Sequence, residues 1–107
     1  MLRQPLADAE QVLGLDGPTL LVLGRPSCDD CAAWYAELDG WPSDMGLTVL
    51  TLDLTTEVGH AFKAANAWTE HIDFIPFNVL YRDGDMVAHW TGGGIERLMG
   101  HLNASEA

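Results

Sequence analysis

Apolar residues recur along this chain in two rhythms, and the switches between them mark out its elements. Thr19–Leu23 (TLLVL) is continuously apolar after Gly17-Pro18, which predicts a buried strand. Then Cys31, Trp34, Tyr35 and Leu38 fall at i, i+3, i+4 and i+7, one face of a helix. Asp39–Gly46, with Pro42 and Gly46, reads as a loop. Leu47–Leu54 (LTVLTLDL) reads as a central strand. The run TTEVGHAFKAANAW reads as a helix capped by Thr55 or Thr56, with Val58, Phe62 and Ala65 on one face. FNVLYRDGDMVAHW is a hairpin, because Asp83-Gly84 supplies the positive φ a tight turn requires. IERLMGHL closes the pattern as an amphipathic helix, and residues 5–14 open it as another, with Leu6, Ala9 and Val12-Leu13 together and Gly14 as the stop.

The predicted order is α-β-α-β-α-β-β-α. Strands separated by helices imply parallel pairing with right-handed crossovers, and the hairpin must be antiparallel. The expectation is an α/β protein: a mixed four-stranded central sheet with helices on both faces, in one domain spanning residues 1–107. No internal repeat or low-complexity tract interrupts it.

Charge narrows the function classes. Sixteen acidic residues against five basic ones give a net charge of −11, and Lys63 is the single lysine. Such a surface repels the phosphate backbone, so nucleic acid is excluded as a partner, and anionic membrane is disfavoured on the same ground. The acidity serves solubility or adaptation to high salt. No apolar run approaches the roughly 20 residues that span a bilayer. Asp8, Glu10 and Gln11 interrupt any signal-peptide core in the N-terminal run, so the expected location is cytoplasmic.

Candidate chemistry gathers in GRPSCDDCAAWYAEL, Gly24 to Leu38, which holds both cysteines, Cys28 and Cys31. The strand ends, Pro26 turns the chain, Ser27 is a good N-cap, and Asp30 stands three residues later as in a capping box. Cys28 then falls in the first helical turn, where unpaired N–H groups and the helix dipole favour a thiolate. Cys31 lies on the same face, near enough to close a disulfide. Cys28 is expected to attack a substrate disulfide and the more buried Cys31 to resolve the mixed disulfide. Two other readings stand beside this one: a pair of packed small side chains, and half of a metal site. The second is weakened because His60, His71, His89 and His101 form no short ligand pair. Asp29 and Asp30 place negative charge beside the forming thiolate, which opposes it and leans the couple towards a reductant, unless they simply point into water.

Cys28-Asp29-Asp30-Cys31 after a buried strand, Ile75-Pro76 opening a strand, the Asp83-Gly84 hairpin and Gly92 after the last strand together resemble the thioredoxin family. The likeness runs over nearly the whole chain from about residue 18 and implies the thioredoxin fold, βαβ then ββα. It implies that Pro76 is cis beside the disulfide and that the Ile75 backbone pairs with an extended substrate segment. Ile75, Pro76 and Gly92, with Pro26 beside the cysteines, are then the substrate-binding surface. It further implies protein disulfides as substrates and an upstream reductant such as thioredoxin reductase or glutathione, with no cofactor or metal beyond the dithiol.

The departures are specific. Ser27 stands where the family carries Trp, Asp29-Asp30 where it carries Gly-Pro, Val22 where it buries an acid, and Thr51 where a lysine is usual. His71, just ahead of Ile75-Pro76, is a candidate replacement proton acceptor or a solvated loop residue. Trp34 and Tyr35 are expected to pack against the sheet, and Trp41 and Trp68 to pack at its rim or line a partner groove. Gly92-Gly93-Gly94 lacks phosphate-loop spacing and reads as a flexible turn. The expected function is a monomeric thiol-disulfide oxidoreductase acting through Cys28 and Cys31. The alternative is a redox sensor or adaptor of the same fold with little turnover.

Overall fold

A computed structural model describes residues 2–42 and 46–106. Five strands form one sheet in the order β1-β3-β2-β4-β5: β1 Arg3–Pro5, β2 Pro18–Gly24, β3 Thr48–Asp53, β4 Phe77–Arg82 and β5 Asp85–Thr91. Strands β1, β3 and β2 run parallel, while β4 runs antiparallel to β2 and β5 to β4. Three helices cover the sheet: α1 Asp29–Gly40, α2 Glu57–Ala65 and α3 Ile95–Ser105.

Alternation along β2 explains the layering. Leu20 and Val22 point to one face, where they pack with Trp34 and Leu38 of α1 and Leu98 and Leu102 of α3. Leu21 and Leu23 point to the other, where Phe62 of α2 and Val12 complete a second core. All four β2 side chains are fully buried, as a central strand covered on both faces requires.

The sheet holds one strand more than the sequence pattern predicts. Residues 5–14 do not form an α-helix. Arg3–Pro5 pair with Val49–Thr51 at the sheet edge, the Leu6 N–H donates to the Thr51 carbonyl at 2.8 Å, and only Gln11–Gly14 coil, as a single 3-10 turn. Pairing to an existing sheet edge outweighs a weak local helical rhythm. The predicted helix over 55–68 also divides. α2 begins after Thr56, whose hydroxyl accepts the Gly59 N–H, and ends at Asn66; a 3-10 turn, Ala67–His71, follows. Helix α1 runs on to Gly40, into the segment read as a loop, and positions 43–45 of that segment lie outside the described residues. At the hairpin, Asp83 and Gly84 both take positive φ, 52° and 86°.

Candidate functional site

Strand β2 ends at Gly24, and the turn Arg25–Cys28 reverses the chain, with the Cys28 N–H donating to the Arg25 carbonyl at 3.2 Å. Pro26 occupies the second position of that turn, where its fixed φ suits the bend. It is exposed and lines neither of the cavities that meet at Ile75. Cys28, not Ser27, is the N-cap of α1. Its backbone is extended and its Sγ accepts the Cys31 N–H at 3.0 Å. The cap therefore lies one residue later than the capping-box reading placed it, and Cys28 precedes the first helical turn. A sulfur so placed receives a backbone N–H as well as the field of the helix end, and both favour negative charge on it.

Cys28 and Cys31 are joined as a disulfide, with Cα atoms 5.2 Å apart. Their environments differ. Cys28 is half-buried, whereas Cys31 is 1% exposed. The Cys31 sulfur packs against Gly24. A Cβ there would lie 2.9 Å from Cys31 Sγ and 2.9 Å from the Tyr35 hydroxyl, so this glycine makes room for both.

The loop before β4 brings Ile75 and Pro76 to the same place. The Ile75–Pro76 peptide is cis, and the Ile75 carbonyl oxygen lies 3.9 Å from Cys28 Sγ. Gly92 joins them, because its N–H donates to the Pro76 carbonyl at 2.8 Å. Ile75 thus reaches the Cys28 sulfur, which is bonded to Cys31, while Pro76 and Gly92 follow Ile75 along one groove and Pro26 contributes the turn. A groove of about 540 Å³ opens beside Ile75, with Asp30, Trp34 and Glu37 on the α1 side and Gly92–Gly94 opposite. Across Ile75 a smaller cavity of about 190 Å³ carries Arg25, Lys63 and Asp73.

Sequence reasoning missed Asn78. This amide is completely buried in the apolar run FNVLY. Its Oδ1 accepts the Trp34 indole N–H at 2.8 Å, and its Nδ2 donates to the Gly92 carbonyl at 2.7 Å and the Trp90 carbonyl at 3.2 Å. It ties α1 to the end of β5 and so sets the width of the groove. The one sequence signal was a polar residue inside a strand with no exposed face. Gly93 belongs to the same clasp, since a Cβ on it would meet the Trp34 ring at 3.0 Å.

The proton acceptor considered at His71 is elsewhere. His71 is exposed and lines a separate cavity of about 300 Å³ with Trp68, Phe77 and His89, so it does not serve Cys31. Val22 and Thr51 are direct neighbours on β2 and β3, so neither the buried acid nor the lysine of the resemblance is present at this pair. Among the described residues, no group of three or more His, Cys, Asp or Glu side chains is placed to hold a metal ion.

No protein-family model matches the chain, and no curated protein matches it in sequence. Solved structures do. Thioredoxin f2 of Chlamydomonas reinhardtii superposes with a TM-score of 0.75 at 19% identity, over 99% of this chain and 97% of that one. The chain has the thioredoxin fold. Spinach chloroplast thioredoxin f (short form) matches with a TM-score of 0.71 at 16% identity, covering 97% of this chain and 94% of its own. Malassezia sympodialis thioredoxin gives 0.70 at 15%, covering 99% and 92%. At these identities the likeness is one of fold. The thioredoxin fold here carries its cysteine pair at the start of α1, next to the cis-proline loop.

Proposed function

We propose that this protein is a thiol-disulfide oxidoreductase acting on protein disulfides. The observation that carries the reading is the half-exposed Cys28 sulfur, capped by the Cys31 N–H at 3.0 Å and facing the Ile75 carbonyl. In the reduced protein the Cys28 thiolate attacks one sulfur of a partner disulfide. A Cys28–partner bond forms, the partner bond breaks, and the leaving thiolate takes up a proton. The Cys31 sulfur, as thiolate, then attacks Cys28 Sγ. The Cys28–Cys31 bond forms, the mixed disulfide breaks, and the second partner thiol leaves. Two electrons and two protons pass from dithiol to partner. Ile75 offers its backbone to an extended substrate segment, as an open strand edge does, and Pro76 and Gly92 shape the surface beside it.

Asp29 and Asp30 occupy the first turn of α1 and are exposed. Their charge opposes the Cys28 thiolate, which destabilises the reduced form and leans the couple towards a reductant. A thioredoxin reductase or glutathione would restore the dithiol. One observation favours a second reading, a sensor or adaptor with little turnover: Val22 and Thr51 supply no acid or lysine near the buried thiol.

The deciding experiment is insulin reduction with dithiothreitol, run beside a Cys31→Ser variant. The oxidoreductase reading expects catalysed turnover, and a partner trapped on Cys28 in the variant. Trapping without turnover would select the sensor. No mixed disulfide at all would end both readings.

A further inference from the structure

Cys31 has to carry negative charge to attack Cys28, yet it is 1% exposed, and burial away from polar groups disfavours a thiolate. Val22, on the strand beneath α1, is fully buried and apolar. The Tyr35 hydroxyl is a polar side-chain group in the neighbourhood of the Cys31 sulfur. Each lies 2.9 Å from where a Cβ on Gly24 would stand, so they are no more than about 6 Å apart. Tyr35 lies four residues after Cys31 on α1, the spacing that stacks side chains on one helix face.

We propose that the Tyr35 hydroxyl donates a hydrogen bond to the Cys31 sulfur once the disulfide is open, and thereby holds it as a thiolate for the resolving step. The proposal rests on the exchange chemistry above. When the Cys28–Cys31 bond breaks, Cys31 Sγ is free to turn about χ1 towards the gap at Gly24. Tyr35 is held for this. The Arg3 guanidinium lies 4.6 Å over its ring, and Asp39 fixes Arg3 through two hydrogen bonds at 2.8 and 3.1 Å.

The groups facing Tyr35 come from three elements: Arg3 on β1, Cys31 and Asp39 on α1, and Asp53 on β3. Burial, opposed by Arg3 and aided by Asp53, pushes the Tyr35 phenol above its ordinary range. It therefore keeps its proton near neutrality and acts as donor, not base. The Cys31 proton leaves to solvent, and Tyr35 keeps its own. A hydrogen bond to the charged form of a thiol favours that form. Tyr35 is thus a positioning residue, acting on Cys31 and not on substrate.

Tyr35→Phe tests this, because it retains the ring under Arg3 and removes only the donor. Three measurements are made with and without it. Cys31 is titrated by thiolate absorbance in a Cys28→Ser background. Attack by Cys28 on 2-hydroxyethyl disulfide is timed in a Cys31→Ser background. Resolution of the mixed disulfide is followed by acid quench and mass in the protein with both cysteines. Loss of the donor is expected to move the Cys31 midpoint up by about one pH unit and to slow resolution about tenfold at pH 7. Attack by Cys28 is expected to stay within twofold. An unchanged midpoint and resolving rate would overturn the proposal, as would an equal slowing of the Cys28 attack, which marks general disturbance. If the mixed disulfide persists even with Tyr35 present, the exchange reading itself fails, and the proposal with it.

Discussion

Asn78 shows how much one side chain holds in place. Its fully buried amide satisfies the Trp34 indole N–H and two backbone carbonyls, those of Trp90 and, at the edge of the groove, Gly92. Asn78→Ala leaves those groups unpaired, and each buried orphan costs about 1–3 kcal/mol. Because the three share one partner and the strand can relax, a total loss of about 2–4 kcal/mol is expected. Urea unfolding read by tryptophan fluorescence checks it, and a loss below about 0.5 kcal/mol would show that the clasp contributes nothing. Gly92 is held from both sides, by Asn78 and by Pro76, so the same variant is expected to widen the groove and slow exchange with a protein disulfide more than with a small one. At this scale the sequence was legible where chemistry is local. Cys28 and Cys31 announce themselves by spacing. Asn78 does not, because its partner Trp34 is 44 residues away, and no local rhythm records a contact of that kind. The cap was misplaced for a related reason. Ser27 is a better N-cap than cysteine by general preference, but the turn at Pro26 carries the chain one residue further before the helix begins.

Elements were readable where an apolar run met a clear turn signal. β2, α1 and the β4–β5 hairpin each border such a signal, and they stand within a residue or two of their expected bounds. β1 has three residues, too few to show alternation, and exists because β3 offers it an edge. The shortened α2 has a local cause: Asn66 leaves helical geometry, and its side-chain N–H donates back to the Phe62 carbonyl at 2.9 Å. The start of α2 yields a pH prediction. At the end of β3 the Asp53 carboxylate accepts the Thr55 hydroxyl at 2.6 Å and the Thr55 N–H at 2.8 Å, and these two bonds, the hydroxyl first, hold its carboxyl below the usual range. A depressed folded value means stability that is present above the unfolded carboxylate value, near 4, and is lost as pH falls through the folded one. Asp53→Asn is therefore expected to lower stability at pH 6 and to make no difference near pH 2. A constant penalty at both pH values would show that the carboxylate's charge is irrelevant to the turn.

Across the whole molecule, charge is far out of balance. A net charge of −11 is spread over a body with extents of 31 × 29 × 22 Å. The screening length is about 30 Å at 0.01 M salt and about 3 Å at 1 M. At low salt every carboxylate therefore feels every other, and at high salt almost none does. Two ion pairs, Arg3–Asp39 and Arg82–Glu106, stand against this repulsion among the described residues, and surface pairs of that kind contribute about 0–1 kcal/mol. Repulsion wins that comparison, so the melting temperature is expected to rise as NaCl increases from 10 mM to several hundred millimolar, and then to flatten. The same field acts on partners. With Asp30 and Glu37 lining the groove, a disulfide peptide with flanking lysines is expected to react faster than one with flanking glutamates at low salt. That gap should narrow over the same salt range, while the rate with uncharged 2-hydroxyethyl disulfide stays level. A melting temperature that falls with salt would mean that the few ion pairs outweigh the excess carboxylates. A peptide preference that ignores salt would assign selectivity to shape instead of charge.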